Sequence, residues 1–239
     1  MSGHSKWATT HRQKSVADAK RGAIFTKLGN VITIAARKGG DPSANPSLRA
    51  AIDRAREASM PKDNIERAIK RGTGELGGEV VEELYYEGVL PAGVQVVVKC
   101  ITDNKNRSSA SVRHAFTKHG GSLGAVLWNF DQLGVIMISR AELRAKEIEQ
   151  ADLELALIDL NVAEIISDEE GLIIQTEIKD FITIKDYLEN QGLSLESAEI
   201  EYVAKDKLSL ETAEQETVDR CLEMLEDNED VSACYTNLE

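Results

Sequence analysis

The stretch Val80–Thr102, VVEELYYEGVLPAGVQVVVKCIT, divides the chain in two. Before it, apolar residues recur every three or four positions, as on one face of a helix. Within it, VVEELYYEGV and GVQVVVKCIT are rich in Val and Tyr and read as strands, joined by Leu90-Pro91-Ala92-Gly93. The expected fold is α+β and multidomain: an N-terminal three-helix bundle followed by two ferredoxin-like α/β domains, one inserted in the other.

Working back toward the N-terminus, helical signals fill residues 14–71. Ile24, Leu28, Val31, Ile32 and Ala35 form one apolar face, with Lys20, Lys27 and Lys38 along its edge. Thr26, Asn30, Thr33 and Arg37 occupy the far side. Gly39-Gly40 stop this helix. Asn45-Pro46 announces the second, as a cap residue followed by Pro at the first helical position. Its apolar face is Leu48, Ala51, Ile52, Ala55 and Ala58. The third begins at Pro61, carries Ile65, Ala68 and Ile69, and is expected to end at Gly72 in the C′ position. Residues 72–79, GTGELGGE, read as a linker. They fit G-x-G-x-x-G, but follow a helix and precede a strand, the reverse of a dinucleotide fingerprint, so no cofactor is expected.

Toward the C-terminus, a helix from Arg107 to His119 stops at Gly120-Gly121, and Ala125–Phe130 reads as a third strand. Then come a strand at Leu133–Ser139, a helix at Ala141–Leu160 and strands at Val162–Ser167 and Gly171–Thr176. A helix follows at Ile178–Asn190, with Ile178, Phe181, Ile182, Ile184, Tyr187 and Leu188 on its apolar side, then a strand at Ser197–Ala204. The order β-α-β-β-α-β is the split βαβ arrangement. A helix at Leu210–Leu225 and a strand at Val231–Tyr235 complete the earlier sheet. The expected domains are residues 1–79, residues 80–132 plus 205–239, and an inserted domain at 133–204.

Charge is distributed unevenly along this plan. The chain of 239 residues has a formal net charge of −13. Residues 1–74 hold 15 Lys and Arg against six Asp and Glu, a net of +9, and the remainder carries −22. Such asymmetry suggests that one end meets a polyanion, a nucleic acid or a membrane surface; a merely solvated basic face is the plainer reading. No apolar run approaches the roughly 20 residues of a membrane helix, and no apolar segment follows the N-terminal charges as in a signal peptide. A cytoplasmic protein without membrane contact is expected. Cys100, Cys221 and Cys234 lie inside apolar patterns without CxxC spacing, which argues for buried, reduced thiols.

No catalytic signature emerges. A Walker motif, a nucleophile elbow, an H-E-x-x-H helix and paired-cysteine metal spacing are all lacking, and the four histidines are scattered, so no enzyme and no metal site are expected. What remains is binding. The candidate nucleic-acid contacts are Lys6, Trp7, Arg12, Lys14, Lys20, Arg21, Lys27, Lys38, Arg49, Arg56, Lys62, Arg67, Lys70 and Arg71, since cations that neutralise phosphates release counterions. Trp7 either stacks on or wedges between bases, or anchors the N-terminal arm on the bundle. Lys105, Arg107 and Arg113, on the helix after Asp103-Asn104, are a possible second anion site; local capping is the competing role of that turn. No helix-turn-helix is legible, and phosphate contacts alone do not separate DNA from RNA.

Several motifs resemble one family. Gly3-His4-Ser5-Lys6-Trp7, Ala19-Lys20-Arg21-Gly22-Ala23-Ile24-Phe25-Thr26-Lys27, Asn45-Pro46-Ser47-Leu48-Arg49 and Met60-Pro61-Lys62-Asp63-Asn64-Ile65 look like the YebC/PmpR family. So do Tyr86-Glu87-Gly88, Thr102-Asp103-Asn104-Lys105-Asn106-Arg107 and Val112-Arg113-His114-Ala115-Phe116. The resemblance implies a three-helix N-terminal domain plus two α/β domains and a DNA-binding transcriptional regulator. The alternative it implies is a ribosome- or RNA-binding translation factor, as in the family's mitochondrial translational activators. One departure stands out: where the family usually has a Gly-Pro-Gly-Gly-like turn after Tyr-Glu-Gly, this chain has Val89-Leu90-Pro91-Ala92-Gly93, a less flexible and more apolar loop.

Overall fold

The computed structural model describes residues 21–77, 80–210 and 212–239. Three helices come first: α1 (Arg21–Ala36), α2 (Pro46–Glu57) and α3 (Lys62–Gly72). They are followed by β1 (Glu82–Val89), β2 (Gln95–Thr102), α4 (Lys105–Lys118), β3 (Ser122–Leu123) and β4 (Phe130–Ser139). Next are α5 (Arg140–Ala145), α6 (Gln150–Asp159), β5 (Glu164–Ser167), β6 (Gly171–Thr176), α7 (Phe181–Asn190) and β7 (Ser197–Ala204). The chain ends with α8 (Thr212–Glu226) and β8 (Val231–Thr236). This is a mixed α/β protein with N-terminal helices followed by two antiparallel sheets. The described residues divide into two compact units: those up to Leu127 together with Lys207–Glu239, and Trp128–Asp206.

In the first unit the strand order is β3-β1-β2-β8, every neighbour antiparallel. The β1–β2 hairpin pairs Glu82 with Thr102 through to Val89 with Gln95. From β2 the chain passes through α4 to β3 on the far side of β1, so the sheet opens with a split βαβ crossover. Alternate β2 residues Val96, Val98 and Cys100 pack under Val112 and Phe116 of α4 and Val218, Cys221 and Leu222 of α8. Gly88 makes room for this layer: a Cβ there would sit 2.4 Å from the Phe116 ring and 2.8 Å from the Ser122 carbonyl. Cys100 and Cys221 belong to this core, and burial pushes both thiols up to about 12.

The three helices close a small core of Ile32, Ala36, Leu48, Ala51, Ile52, Ala55, Ile65 and Ala68. Asn45 stitches two of them: its Oδ1 accepts from Leu48 N (3.1 Å), capping α2, while its Nδ2 donates to the carbonyls of Ala35 (2.9 Å) and Gly39 (2.8 Å). Gly72 is the last residue of α3 and not the residue beyond it. Its requirement is closeness: a Cβ there would meet the Thr33 carbonyl oxygen at 2.4 Å and the Ala36 Cβ at 2.6 Å, on α1.

The far side of α1 is covered in its middle, while Thr26 and Arg37 near its ends are exposed. Asn30 and Thr33 are buried, Asn30 against the end of the sheet and Thr33 against α3. Asn30 Nδ2 donates to the Ile101 carbonyl (3.2 Å) where β2 ends, and Thr33 Oγ1 donates to the Gly29 (2.8 Å) and Ala68 (3.2 Å) carbonyls. Arg37 donates to the Val81 carbonyl just before β1.

The strand expected over Ala125–Phe130 is absent up to Asn129, and Phe130 is the first residue of β4. The edge strand is the two-residue β3, and a 3-10 turn at Leu127–Asn129 leads into β4. The Glu87 carboxylate, on β1, accepts from Val126 N (2.6 Å) and Leu127 N (2.8 Å), drawing that backbone away from sheet pairing.

In the second unit the order is β5-β6-β4-β7. The path from β4 to β5 crosses β6, and the path from β6 to β7 crosses β4, giving the two interlocked split βαβ units of a ferredoxin-like sheet. Ile136, Ile138, Leu172 and Ile174 pack under Leu153 and Leu157 of α6 and Phe181, Ile184 and Leu188 of α7. The single helix expected over Ala141–Leu160 is two, because Glu147 adopts a left-handed φ of 54° and turns the chain. The stripe expected on α7 is narrower than its sequence: Ile178 and Ile182 are exposed.

Candidate nucleic-acid interface

Lys6, Trp7, Arg12, Lys14 and Lys20 lie outside the described residues, as does the side chain of Arg21. The remaining candidates separate by what the fold has done with them. Lys38, Arg49, Arg56, Lys62, Arg67 and Lys70 are exposed. Arg67 and Lys70 occupy the side of α3 opposite Ile65 and Ala68, its buried residues. Arg56 pairs with Asp53 (3.2 Å) and Lys62 with Glu66 (3.5 Å), both in the open. Such pairs are worth roughly 0–1 kcal/mol and exchange readily for a phosphate. Arg49 instead grips its own loop, donating from Nε to the Pro42 carbonyl (3.0 Å) and from Nη2 to the Ser43 carbonyl (2.9 Å).

Two members of the set face inward. Lys27 is half-buried and donates to the Glu226 carbonyl at the end of α8. Burial holds its ammonium below the ordinary value, against the raising effect of Cys234, Glu226 and Asp227. Arg71 donates from Nη2 to Asp103 Oδ2 (2.9 Å), tying the last turn of α3 to the turn that starts α4. The hydrogen bond from Arg71, helped by Arg107, holds the Asp103 carboxyl below the usual range against the opposing effect of burial.

The second proposed anion site is likewise engaged by carboxylates. Lys105 pairs with Glu82 (2.5 Å). Arg107 makes a two-pronged contact with Asp230, Nε to Oδ2 at 2.9 Å and Nη2 to Oδ1 at 2.7 Å, and also reaches Asp103 Oδ1 (3.1 Å). Asn104 Oδ1 accepts from Arg107 N (3.0 Å), so capping occupies the helix terminus. Arg113 is exposed, further along α4. Asp103 is legible as Arg107's partner from its spacing of four residues. Asp230 is 123 residues away, and no local pattern marks it.

A four-residue connection, Ala58 to Pro61, joins α2 and α3, with Ser59 at a left-handed φ of 60°. Pro, Lys and Asp in the M-P-K-D-N run hid a short turn that a glycine would have announced. Among the described residues, no helix is long and apolar enough to cross a membrane.

The sequence model of the TACO1/YebC protein N-terminal domain matches residues 5–75, and that of the TACO1/YebC second and third domain matches residues 81–238. A "probable transcriptional regulatory protein" of Bacillus licheniformis is 48% identical over 242 residues, covering 100% of both chains. One of Persephonella marina is 45% identical over 244 residues, covering 100% of this chain and 96% of its own. The crystal structure of a conserved hypothetical protein from Aquifex aeolicus superposes with a TM-score of 0.80 at 40% identity, over 93% of this chain and 92% of that one. With both halves matched and full-length relatives at this identity, the chain belongs to the TACO1/YebC family.

Proposed function

We propose that the protein is a DNA-binding transcriptional regulator of the cytoplasm, a binding protein and not an enzyme, that grips duplex phosphates through its basic N-terminal third. The observation that carries this reading is the +9 charge of residues 1–74, with Arg67 and Lys70 held outward on α3. The naming of the relatives as probable transcriptional regulatory proteins supports it. So does the α2–α3 connection, which has the three-to-four-residue length of a helix-turn-helix. The reading is tested by measuring duplex affinity against salt. A basic surface that neutralises phosphates gives a steep negative log–log slope, and Arg67→Glu with Lys70→Glu flattens it by about 2. A flat slope, or no change in the double variant, sinks it.

A second reading is favoured by the −22 of residues 75–239. A body so acidic stays outside a polyanion while a basic arm enters it, as a translation factor would on ribosomal RNA. Ribosome cosedimentation lost on deleting residues 1–40 would favour it over the duplex reading; clean non-association would discard it.

A further inference from the structure

Helix α4, KNRSSASVRHAFTK, lies in the acidic part of the chain yet contains no Asp or Glu. Its buried side is Ser108, Val112, Ala115 and Phe116, which seats it on the sheet. At about 100° per residue the opposite side carries Asn106, Arg113, His114 and Thr117, with Lys118 at its edge. All five are exposed. Unlike Lys105 and Arg107, Arg113 and Lys118 are not drawn into the sheet or the β8 turn. His119, the C-cap, lies among like charges: burial, then Lys118, Arg220 of α8 and His114, hold its imidazole below the ordinary value. Arg220 is exposed and pairs with Glu216 (2.5 Å) one turn away, whereas among the described residues no carboxylate pairs with Arg113 or Lys118. An exposed helix face that carries Arg113, His114 and Lys118 and no acidic residue of its own attracts an anion.

Its position relative to the basic helices is fixed within the first unit. Arg71 in the last turn of α3 and Arg107 in the first turns of α4 share the carboxylate of Asp103. From that junction α4 runs 14 residues, about 20 Å, so Arg113 and Lys118 stand roughly 10–20 Å further along its axis. Backbone phosphates on one strand are spaced closely enough for several to lie within that reach.

We propose that the outer face of α4, formed by Asn106, Arg113, His114, Thr117 and Lys118, is a second phosphodiester-binding surface. It takes a further segment of the same nucleic acid that α3 contacts, making the first unit a two-point grip. This rests on the nucleic-acid reading above, and the experiment separates the two. Full-length protein is titrated with a duplex and with a single-stranded RNA at several salt concentrations. Three variants are compared with the unaltered chain: Arg113→Glu with Lys118→Glu, the charge-neutral Arg113→Gln with Lys118→Gln, and Arg67→Glu with Lys70→Glu. All four positions are exposed, and unchanged melting confirms that the variants fold.

The expected result is a slope flattened by about 2 in either α4 variant, with affinity falling at least tenfold at about 100 mM salt in the charge-reversed one. The His114 and His119 ring resonances should also shift when nucleic acid is added to the unaltered protein. The proposal is overturned, with the α3 reading left standing, if the α4 variants keep the full slope and the histidines stay still while the α3 variant loses slope. It is overturned together with that reading if the unaltered chain binds neither polyanion.

Discussion

Arg107 and Asp230 are joined by two hydrogen bonds of 2.9 and 2.7 Å across 123 residues of sequence. Asp230 is 2% exposed, while the Arg107 side chain is 44% exposed and keeps Asp103 as a second partner. The two ends of the bond are therefore unequal. Removing the arginine strands a buried carboxylate; removing the aspartate leaves a half-exposed guanidinium that still has a counter-charge. Arg107→Ala is expected to cost about 3 kcal/mol or more, and Asp230→Ala less. Urea unfolding of both variants checks the order, and an equal or reversed pair of losses contradicts it.

Asp103 couples the helices to the sheet in a way that acid should reveal. Arg71 and Arg107 hold its carboxyl below its ordinary value of 3.8, so the ionised form is favoured by folding. A depressed carboxyl contributes stability that is fully present above the unfolded value and is lost as pH falls through the folded one. Arg71→Gln removes the largest stabilising contact. The variant should be less stable than the unaltered chain at pH 6, and the gap should narrow below about pH 4. A gap that is constant from pH 6 to pH 2 would show that Arg71 acts through packing alone.

Lys27 gives the opposite sign. Burial lowers its ammonium from the ordinary 10.5, so the charged form is less favourable in the folded chain than in the unfolded one. That penalty is present at neutral pH and disappears as pH rises from the folded value toward the unfolded one. Relative to Lys27→Met, the unaltered protein should therefore gain stability between pH 7 and about pH 10.5. Because Lys27 is turned toward Glu226, the same variant should keep the nucleic-acid salt slope. A slope reduced by about 1 would place Lys27 on the phosphate contact after all.

The sequence showed the change of period at Val80, the cap at Asn45-Pro46 and the second sheet's β-α-β-β-α-β order, because each is written in residues a few positions apart. Local pattern failed where a second surface intervened. Asn30 and Thr33 lie opposite the apolar stripe of α1, and nothing near them in sequence marks the sheet end and the α3 backbone that bury them. Glu87 is the strand residue its pattern indicates, but nothing local shows that its carboxylate shapes a turn about 40 positions away. Among the candidate cations, charge and spacing could not distinguish Arg67, which stays in solvent, from Arg71, which meets Asp103.

Gly72 tests the seam between α1 and α3. A methyl group there would meet the Thr33 carbonyl oxygen at 2.4 Å, and a backbone atom cannot rotate aside. Gly72→Ala is expected to cost about 1–3 kcal/mol despite its better helix propensity. Gly77→Ala, with nothing within 4 Å, is the control and should change stability little. A neutral Gly72→Ala would mean that the helices separate without cost.

The loop that departs from the family pattern supplies the last test. Ala92 sits at φ 61°, ψ 11° between Pro91 and Gly93, a left-handed conformation in a 3-10 turn. A side chain in that region costs roughly 1–2 kcal/mol, because Cβ crowds the following carbonyl oxygen. Glycine removes the clash but adds about 0.5–1 kcal/mol of backbone entropy to be lost on folding. The difference favours Ala92→Gly by roughly 0.5–1 kcal/mol. Pro91 already fixes its own φ, so the turn need not be searched for anew. The variant should raise the urea midpoint without altering the slope of the transition. A lowered midpoint would show that the Ala92 methyl group is held by contacts worth more than the strain it bears.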